Sequence, residues 1–94
     1  MSATIPIALF RLGKIVATPG ALAQLSQEDI HNGIRRHQSG DWGEVDEVDC
    51  QFNNRALTDG GRLVSAYYSA NRTAFFLITE ADRSATTVLL LEEY

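Results

Sequence analysis

The stretch that decides the fold is residues 63–91, LVSAYYSANRTAFFLITEADRSATTVLLL. Two short turn-like segments, 69–72 and 80–84, divide it into runs of strand length. Connections this short join antiparallel neighbours, so the stretch predicts a three-stranded antiparallel meander. The runs are rich in β-branched and aromatic residues, as strands are, and cover 63–68, 73–79 and 86–91.

The chain before this stretch begins with one more strand and then carries helix signals. Residues 9–18 are apolar and partly β-branched, which predicts a first strand with a break or bulge at Gly13. Thr18 followed by Pro19 predicts the start of a short helix, because proline is tolerated at the first helical position. Ser26 with an acidic residue three positions later predicts a second helix, which we expect to end at Gly40.

A third helix is predicted over residues 45–58. Its apolar residues fall on one stripe, which we expect to be buried, and its polar residues fall on the other side. The expected buried stripe is Val45, Val48, Phe52 and Ala56, and the residues expected to point away are Asp46, Glu47, Asp49 and Asn53. The sequence therefore predicts an α+β fold of order β-α-α-α-β-β-β, with the helices packed on one face of an antiparallel sheet.

Length and composition limit the classes of function. The chain has 94 residues, a net charge of −4 and 45% hydrophobic side chains, which predicts one small globular domain over 1–94, with residues 1–8 flexible. Twelve acidic residues against eight basic ones argue against direct nucleic-acid binding, which depends on clustered lysine and arginine. No apolar run is long enough to span a bilayer, so we expect a cytoplasmic protein without membrane association.

The densest group of charges lies between residues 41 and 49, which hold five carboxylates and no base, whereas residues 1–27 hold no acid. Such a segment forms either an anionic surface for a basic partner or a solvated first helical turn that the helix dipole favours. Trp42 within it is either a lid on the core or a contact anchor. The candidate partner-binding residues are Asp41, Trp42, Glu44, Asp46, Glu47 and Asp49.

We expect no metal site and no cofactor. His31, His37 and Cys50 do not have zinc-site spacing, and the acidic segment lacks the ligand pattern of a calcium loop. Cys50 is interpreted as a packing position. His37 shares a helix face with Ile30 and Ile34, so it is either a hydrogen-bonded histidine at the boundary of the core or a general base.

Three segments carry a resemblance to a known family: LGKIVATPGAL (12–22), RHQSGDWGEV (36–45) and ITEADRSATTVLL (78–90). From residue 12 onward the chain resembles a family of short bacterial proteins of unknown function that occur on plasmids and other mobile elements. Some members carry the label of a type I restriction methyltransferase subunit, but this chain has no Asn-Pro-Pro-Phe-like catalytic tetrapeptide. Leu91 stands where the family has a proline. The resemblance implies a link with defence or counter-defence loci.

A weaker resemblance is to RelE-like and barnase-like ribonuclease toxins, in which helices precede an antiparallel meander. It implies that His37, Arg36, Arg83 and Thr86 occupy catalytic positions. The net charge of −4 disagrees, because ribonucleases normally present a basic face to RNA.

Three hypotheses of function follow. The first is a non-catalytic protein-interaction factor, a mobile-element accessory or a counter-defence inhibitor of the anti-CRISPR or anti-restriction type. Its partner would be a protein with a basic surface, such as the nucleic-acid-binding surface of a defence complex. The second is a small ribonuclease centred on His37. The third is a self-associating structural module, a homodimer in which strand 86–91 pairs across a two-fold axis.

Overall fold

The computed structural model describes residues 8–94 of the chain. Its elements follow the order β-α-α-α-β-β-β and end in a 3₁₀ helix, which confirms the predicted α+β class and order. The expected flexibility of residues 1–8 lies outside the described residues, apart from Ala8, which is solvent-exposed. The elements are β1 (Lys14–Ala17), α1 (Pro19–Gln24), α2 (Gln27–Gln38), α3 (Glu47–Asp59), β2 (Leu63–Tyr68), β3 (Ala74–Thr79), β4 (Ala85–Leu90) and the 3₁₀ helix Leu91–Glu93.

The four strands form one sheet in the order β1-β4-β3-β2. Strands β2, β3 and β4 are the predicted antiparallel meander, and β1 joins β4 in parallel, with Lys14 opposite Ala85. The parallel pair of β1 and β4 makes this a mixed sheet. β1 and β3 pair with the two sides of β4 over residues 86–88, so that part of the strand has no free edge for pairing across a two-fold axis.

The first strand is shorter than the predicted span of 9–18. Gly13 adopts a left-handed φ of 65°, and the strand begins only at the next residue. Residues 9–12 use their backbone groups elsewhere: the Leu9 N–H donates to the Gln38 carbonyl at 2.8 Å, and the Leu12 carbonyl accepts from the Thr86 hydroxyl at 2.8 Å. These bonds hold residues 9–12 against the end of α2 and against β4, so no strand forms there.

The helix starts are capped by side chains, as the sequence predicts for α1 and α2. Thr18 accepts a hydrogen bond from the Ala21 N–H, and Ser26 accepts one from the Asp29 N–H. Helix α3 starts later than predicted because Asp46 is its cap, accepting from the Asp49 N–H at 2.8 Å. Gly60 ends α3 in the left-handed conformation, with a φ of 85°.

The main core lies between α1, α2 and one face of the sheet. Ala21 of α1, Leu25 at the C-terminal cap of that helix, and the half-buried Ile30 and Ile34 of α2 pack against this inner face. Burying a leucine side chain such as that of Leu25 contributes about 1.5–3 kcal/mol. The sheet residues in this cluster are Tyr67, Phe75, Leu77, Val88 and Leu90.

Helix α3 does not bury the predicted stripe. Val48 and Phe52 are 59% and 63% exposed, whereas Asn53, which was expected to point away, is only 3% exposed. The physical reason is that α3 lies along the free edge of β2, where backbone groups need hydrogen-bond partners as well as apolar cover. Of the predicted stripe, only Ala56 is fully buried; Val45 is half-buried.

Within residues 8–94, no helix combines the length and the apolar character that crossing a membrane requires.

Candidate functional site

The edge of β2 is capped by side-chain and backbone bonds. Asn53 of α3 accepts from the Val64 N–H at 3.0 Å and donates to the Val64 carbonyl at 2.8 Å. Two positions further along, the Ala66 N–H donates to the Trp42 carbonyl, and the Ala66 carbonyl accepts from the Glu44 N–H at 2.7 Å. The outward-facing backbone groups of Val64 and Ala66 are therefore all bonded within the chain.

Gly43 allows the segment before α3 to lie this close to β2. Its φ is 75°, and it forms an isolated bridge with Ala66. A Cβ atom at position 43 would collide with the Ala66 carbonyl oxygen and with the Tyr67 ring. Only glycine fits this position without displacing the strand edge.

An open groove of about 680 Å³ lies on the outer face of the sheet, beside α3. Side chains of β2 and β3 form its floor, with Val45 and Phe52 on the α3 side and Leu91 and Tyr94 on the other. Several of these apolar side chains are well exposed: Phe52 is 63% exposed, Tyr94 65% and Leu91 57%. The floor residues are Val64, Ala66, Ala74 and Phe76.

The acidic segment divides around this groove. Glu44, Asp46 and Asp49 line it, together with Arg62, whereas Glu47 lies on the side facing Gly40 and Cys50. All four carboxylates are exposed, and none forms an ion pair with another of residues 8–94. One wall of an apolar groove therefore carries negative charge that the described part of the chain leaves unneutralised.

Asp41 and Trp42 have structural contacts instead. The Asp41 carboxylate pairs with the Arg36 guanidinium at 2.7 Å, which lowers the pKa of Asp41 and raises that of Arg36. Trp42 is 4% exposed, stacks on Phe10 with ring centroids 6.2 Å apart, and donates its indole N–H to Asn54. Of the two interpretations of Trp42, the structure has the lid on the core.

His37 lies at the centre of a buried hydrogen-bond chain. Its Nδ1 lies 2.5 Å from the Ser65 hydroxyl, and its Nε2 lies 2.8 Å from the Thr79 hydroxyl. The Thr79 hydroxyl is in turn 2.7 Å from the Thr86 hydroxyl, which donates to the Leu12 carbonyl. All four side chains are completely buried. The chain of bonds joins α2 to three strands of the sheet and to the segment before β1.

The last hydrogen bond of this series, from Thr86 to the Leu12 carbonyl, assigns the tautomer of His37. The Leu12 carbonyl can only accept, so the single hydroxyl proton of Thr86 is used there, and Thr79 must donate to Thr86. His37 must then donate from Nε2 to Thr79 and accept at Nδ1 from Ser65. The imidazole is neutral, because burial, and to a lesser extent the charge of Arg83, lowers its pKa to about 4.

The four residues of the ribonuclease resemblance do not form an accessible site. His37 and Thr86 are linked through Thr79 inside the core, with no exposed surface. The Arg83 guanidinium donates to the carbonyls of Gly61, Ala56 and other loop residues, and Arg36 pairs with Asp41. Neither nitrogen of His37 is free to reach a substrate, so the ribonuclease hypothesis gains no support from this geometry.

The described residues contain no group of three or more histidine, cysteine or acidic side chains placed to hold a metal ion. The sequence matches no family model, and comparisons with curated proteins and with solved structures found no match.

Two features of this region were not predicted from the sequence: the capping of β2 by Asn53, and the buried hydroxyl groups bonded to His37. The helical spacing predicts Phe52 and Val48 in the core and Asn53 in solvent. The burial of the hydroxyls could have been found from the sequence, because Ser65, Thr79 and Thr86 each lie two positions from an apolar residue of the same strand and therefore share its face. These apolar residues are Leu63, Leu77 and Val88, which are all buried. Asn53 had no such signal, since a helix-centre asparagine normally points to water.

Proposed function

We propose that this chain is a non-catalytic protein-interaction factor that binds a partner protein through the groove between the outer sheet face and α3. The main support is that Phe52 of α3 is 63% exposed at the wall of this groove, beside an apolar sheet face. Exposed apolar surface with a polar rim is typical of protein-binding sites.

The three carboxylates along one wall favour a partner with a basic surface. Glu44, Asp46 and Asp49 are exposed beside Phe52, so charge and apolar contact would act on the same partner surface. Charge of this kind raises the association rate and selects against acidic partners. The proposed biological setting, from the resemblance to plasmid proteins, is that of a mobile-element accessory or an inhibitor of a host defence complex.

The test places a photo-crosslinking amino acid at position 52 of the full chain in host cells. We expect a specific crosslinked partner from position 52 and none from position 22, because Leu22 is 65% exposed but lies on α1 and does not line the groove. Neutralising Glu44, Asp46, Glu47 and Asp49 to the corresponding amides should reduce the yield of that crosslink. Equal crosslinking from both positions would contradict the proposal.

A second readout tests the setting. The chain is expressed in cells that carry a restriction or CRISPR system, and the efficiency of plasmid transformation is measured. We expect an increase with the unmodified chain and a loss of that increase with Phe52→Ser, which leaves the core intact. A chain that crosslinks a partner but never changes transformation would be an interaction factor with another role.

A further inference from the structure

The way β2 is capped restricts how a partner can occupy the groove. A partner strand adds to a sheet only where backbone N–H and C=O groups are free. At this edge Asn53 holds both groups of Val64, and residues 42 and 44 hold both groups of Ala66. Recognition along Val64 and Ala66 therefore depends on side chains, which an extended strand presents no better than a helix.

The shape of the floor favours a helix. Ala66 and Ala74 are small, and they lie beside the larger Tyr68 and Phe76, to which they are paired across β2 and β3. The ring of Tyr94 covers part of Phe76, with centroids 4.9 Å apart, and Phe52 rises on the opposite wall. A low floor between aromatic walls accepts a row of apolar side chains from one face of a helix.

The charges assign the chemistry of that helix. Three exposed carboxylates, Glu44, Asp46 and Asp49, line the α3 side of the groove, against the single Arg62. None of these four side chains is neutralised by an ion pair within residues 8–94. A helix that carried lysine or arginine beside its apolar stripe would place those cations along this wall.

We propose that the groove receives one basic amphipathic α-helix of a partner protein, laid over β2 and β3 with its cationic flank toward α3. This inference rests on the proposed function and adds the class of partner. The apolar stripe of the partner contacts Ala66, Ala74 and Phe52, and its lysine or arginine side chains meet Glu44, Asp46 and Asp49.

The experiment measures fluorescence anisotropy of a labelled peptide of about 14 residues, four helical turns, titrated with the full chain. Leucines at helical spacing form one face of this peptide, and lysines form the rest. The first comparison peptide has the same composition in an order that breaks the helical spacing. The second keeps the spacing and replaces each lysine by glutamate. We expect both to bind at least about tenfold more weakly than the leucine–lysine helix.

Matched variants locate the site. Phe52→Ser removes an exposed wall residue, and the triple variant Glu44→Gln, Asp46→Asn, Asp49→Asn removes charge while asparagine keeps the α3 cap. Each should weaken binding of the leucine–lysine peptide by about tenfold or more. The controls are Leu22→Ser and the triple variant Glu28→Gln, Asp59→Asn, Glu80→Gln, whose positions are exposed and do not line the groove; these should bind as the unmodified chain does.

Each opposite result overturns a specific part of the inference. Equal binding of the order-scrambled peptide would overturn the helix, and equal binding of the leucine–glutamate peptide would overturn the basic partner. Binding that Phe52→Ser leaves unchanged would overturn the groove as the place. If the leucine–lysine peptide does not bind while position 52 still crosslinks a partner in cells, this inference fails and the proposed function stands.

Discussion

Asn53 of α3 and Val64 of β2 are joined by two hydrogen bonds, one in each direction, at 3.0 and 2.8 Å. The carboxamide group of Asn53 thus takes the place of a neighbouring strand, because it offers one acceptor and one donor to the backbone groups of a single residue. This contact orients α3: with Asn53 turned inward, Phe52 must turn toward the groove.

Replacing Asn53 should therefore destabilise the protein more than its size suggests. Asn53→Ala removes both partners of Val64 near a buried edge, and we expect a loss of about 2–3 kcal/mol in the free energy of unfolding. Asn53→Asp keeps the acceptor but turns a carboxylate oxygen toward the Val64 carbonyl at a buried position, so its loss should be at least as large. Urea unfolding gives the free energy of unfolding of the unmodified chain and of both Asn53 variants. Gln51→Ala, at an exposed position of the same helix, is the control. Equal stability of Asn53→Ala and Gln51→Ala would contradict the role of Asn53.

Gly43 and Gly60 form a matched pair for testing the second cap of β2. Both are left-handed, with φ of 75° and 85°, but a Cβ at Gly60 meets nothing within 4 Å, whereas one at Gly43 meets the Ala66 carbonyl. Gly60→Ala should cost about 1–2 kcal/mol, the conformational penalty alone. Gly43→Ala should cost at least about 2 kcal/mol more, because the edge must also move. Equal losses in thermal or urea unfolding would show that the close approach at Gly43 contributes nothing.

The buried imidazole makes stability depend on pH in a definite direction. Folding lowers the pKa of His37 from 6.5 to about 4, so the folded state favours neutral His37. The stabilisation is fully present above pH 6.5 and is lost as the pH falls from 6.5 toward 4, because the unfolded chain binds the proton first. The full loss in the free energy of unfolding from this one group is roughly 3 kcal/mol.

The difference between the unmodified chain and His37→Gln isolates this effect, because carboxylates whose pKa is lowered, such as Asp41 and Glu93, titrate in both proteins. We expect the free energy of unfolding, measured in urea between pH 7 and pH 4 at intervals, to fall more steeply in the unmodified chain. His31→Gln, at an exposed position of the same helix, is the matched control. Parallel slopes for the unmodified chain and His37→Gln would rule out the buried neutral imidazole.

The buried hydrogen bonds that link Ser65, His37, Thr79 and Thr86 should be energetically coupled. Thr86→Val removes the donor to the Leu12 carbonyl and the acceptor for Thr79 while keeping the volume of the side chain, and we expect a loss of about 2–3 kcal/mol. Ser65→Ala, at the other end, breaks one bond and should cost about 1 kcal/mol. In the double variant the two losses should not add, because both act on the orientation of His37. Additive losses in a double-mutant cycle would mean that the two ends are independent.

Local signals in the sequence predicted much of the fold. Thr18 and Ser26 cap their helices as predicted, since capping depends on residues three positions apart and not on distant parts of the chain. The three strands of residues 63–91 also form within one residue of the predicted spans, and Tyr67 and Tyr68 lie on opposite faces, at 2% and 51% exposure. The turns between these strands are too short for a parallel connection, so the strands pair antiparallel.

The candidate site was less predictable. The acidic segment was identified, but Asp41 and Trp42 turned out to belong to the ion pair with Arg36 and to the core, respectively. The stripe of Val48 and Phe52 has the spacing of a buried face, yet both side chains are exposed. Spacing predicts which residues share a face of a helix, and it does not say which face meets the protein.

By itself, then, the sequence determined the α+β class, the order of the elements, the caps of α1 and α2 and the concentration of carboxylates between residues 41 and 49, because each follows from neighbouring residues. The tertiary structure alone decided that β1 pairs in parallel with β4, that Asn53 turns inward to Val64, and that His37 joins Thr79 and Thr86 in a buried network. These outcomes depend on backbone and side-chain groups far apart in the chain finding hydrogen-bond partners once they are removed from water, and that competition is settled only when the elements pack together.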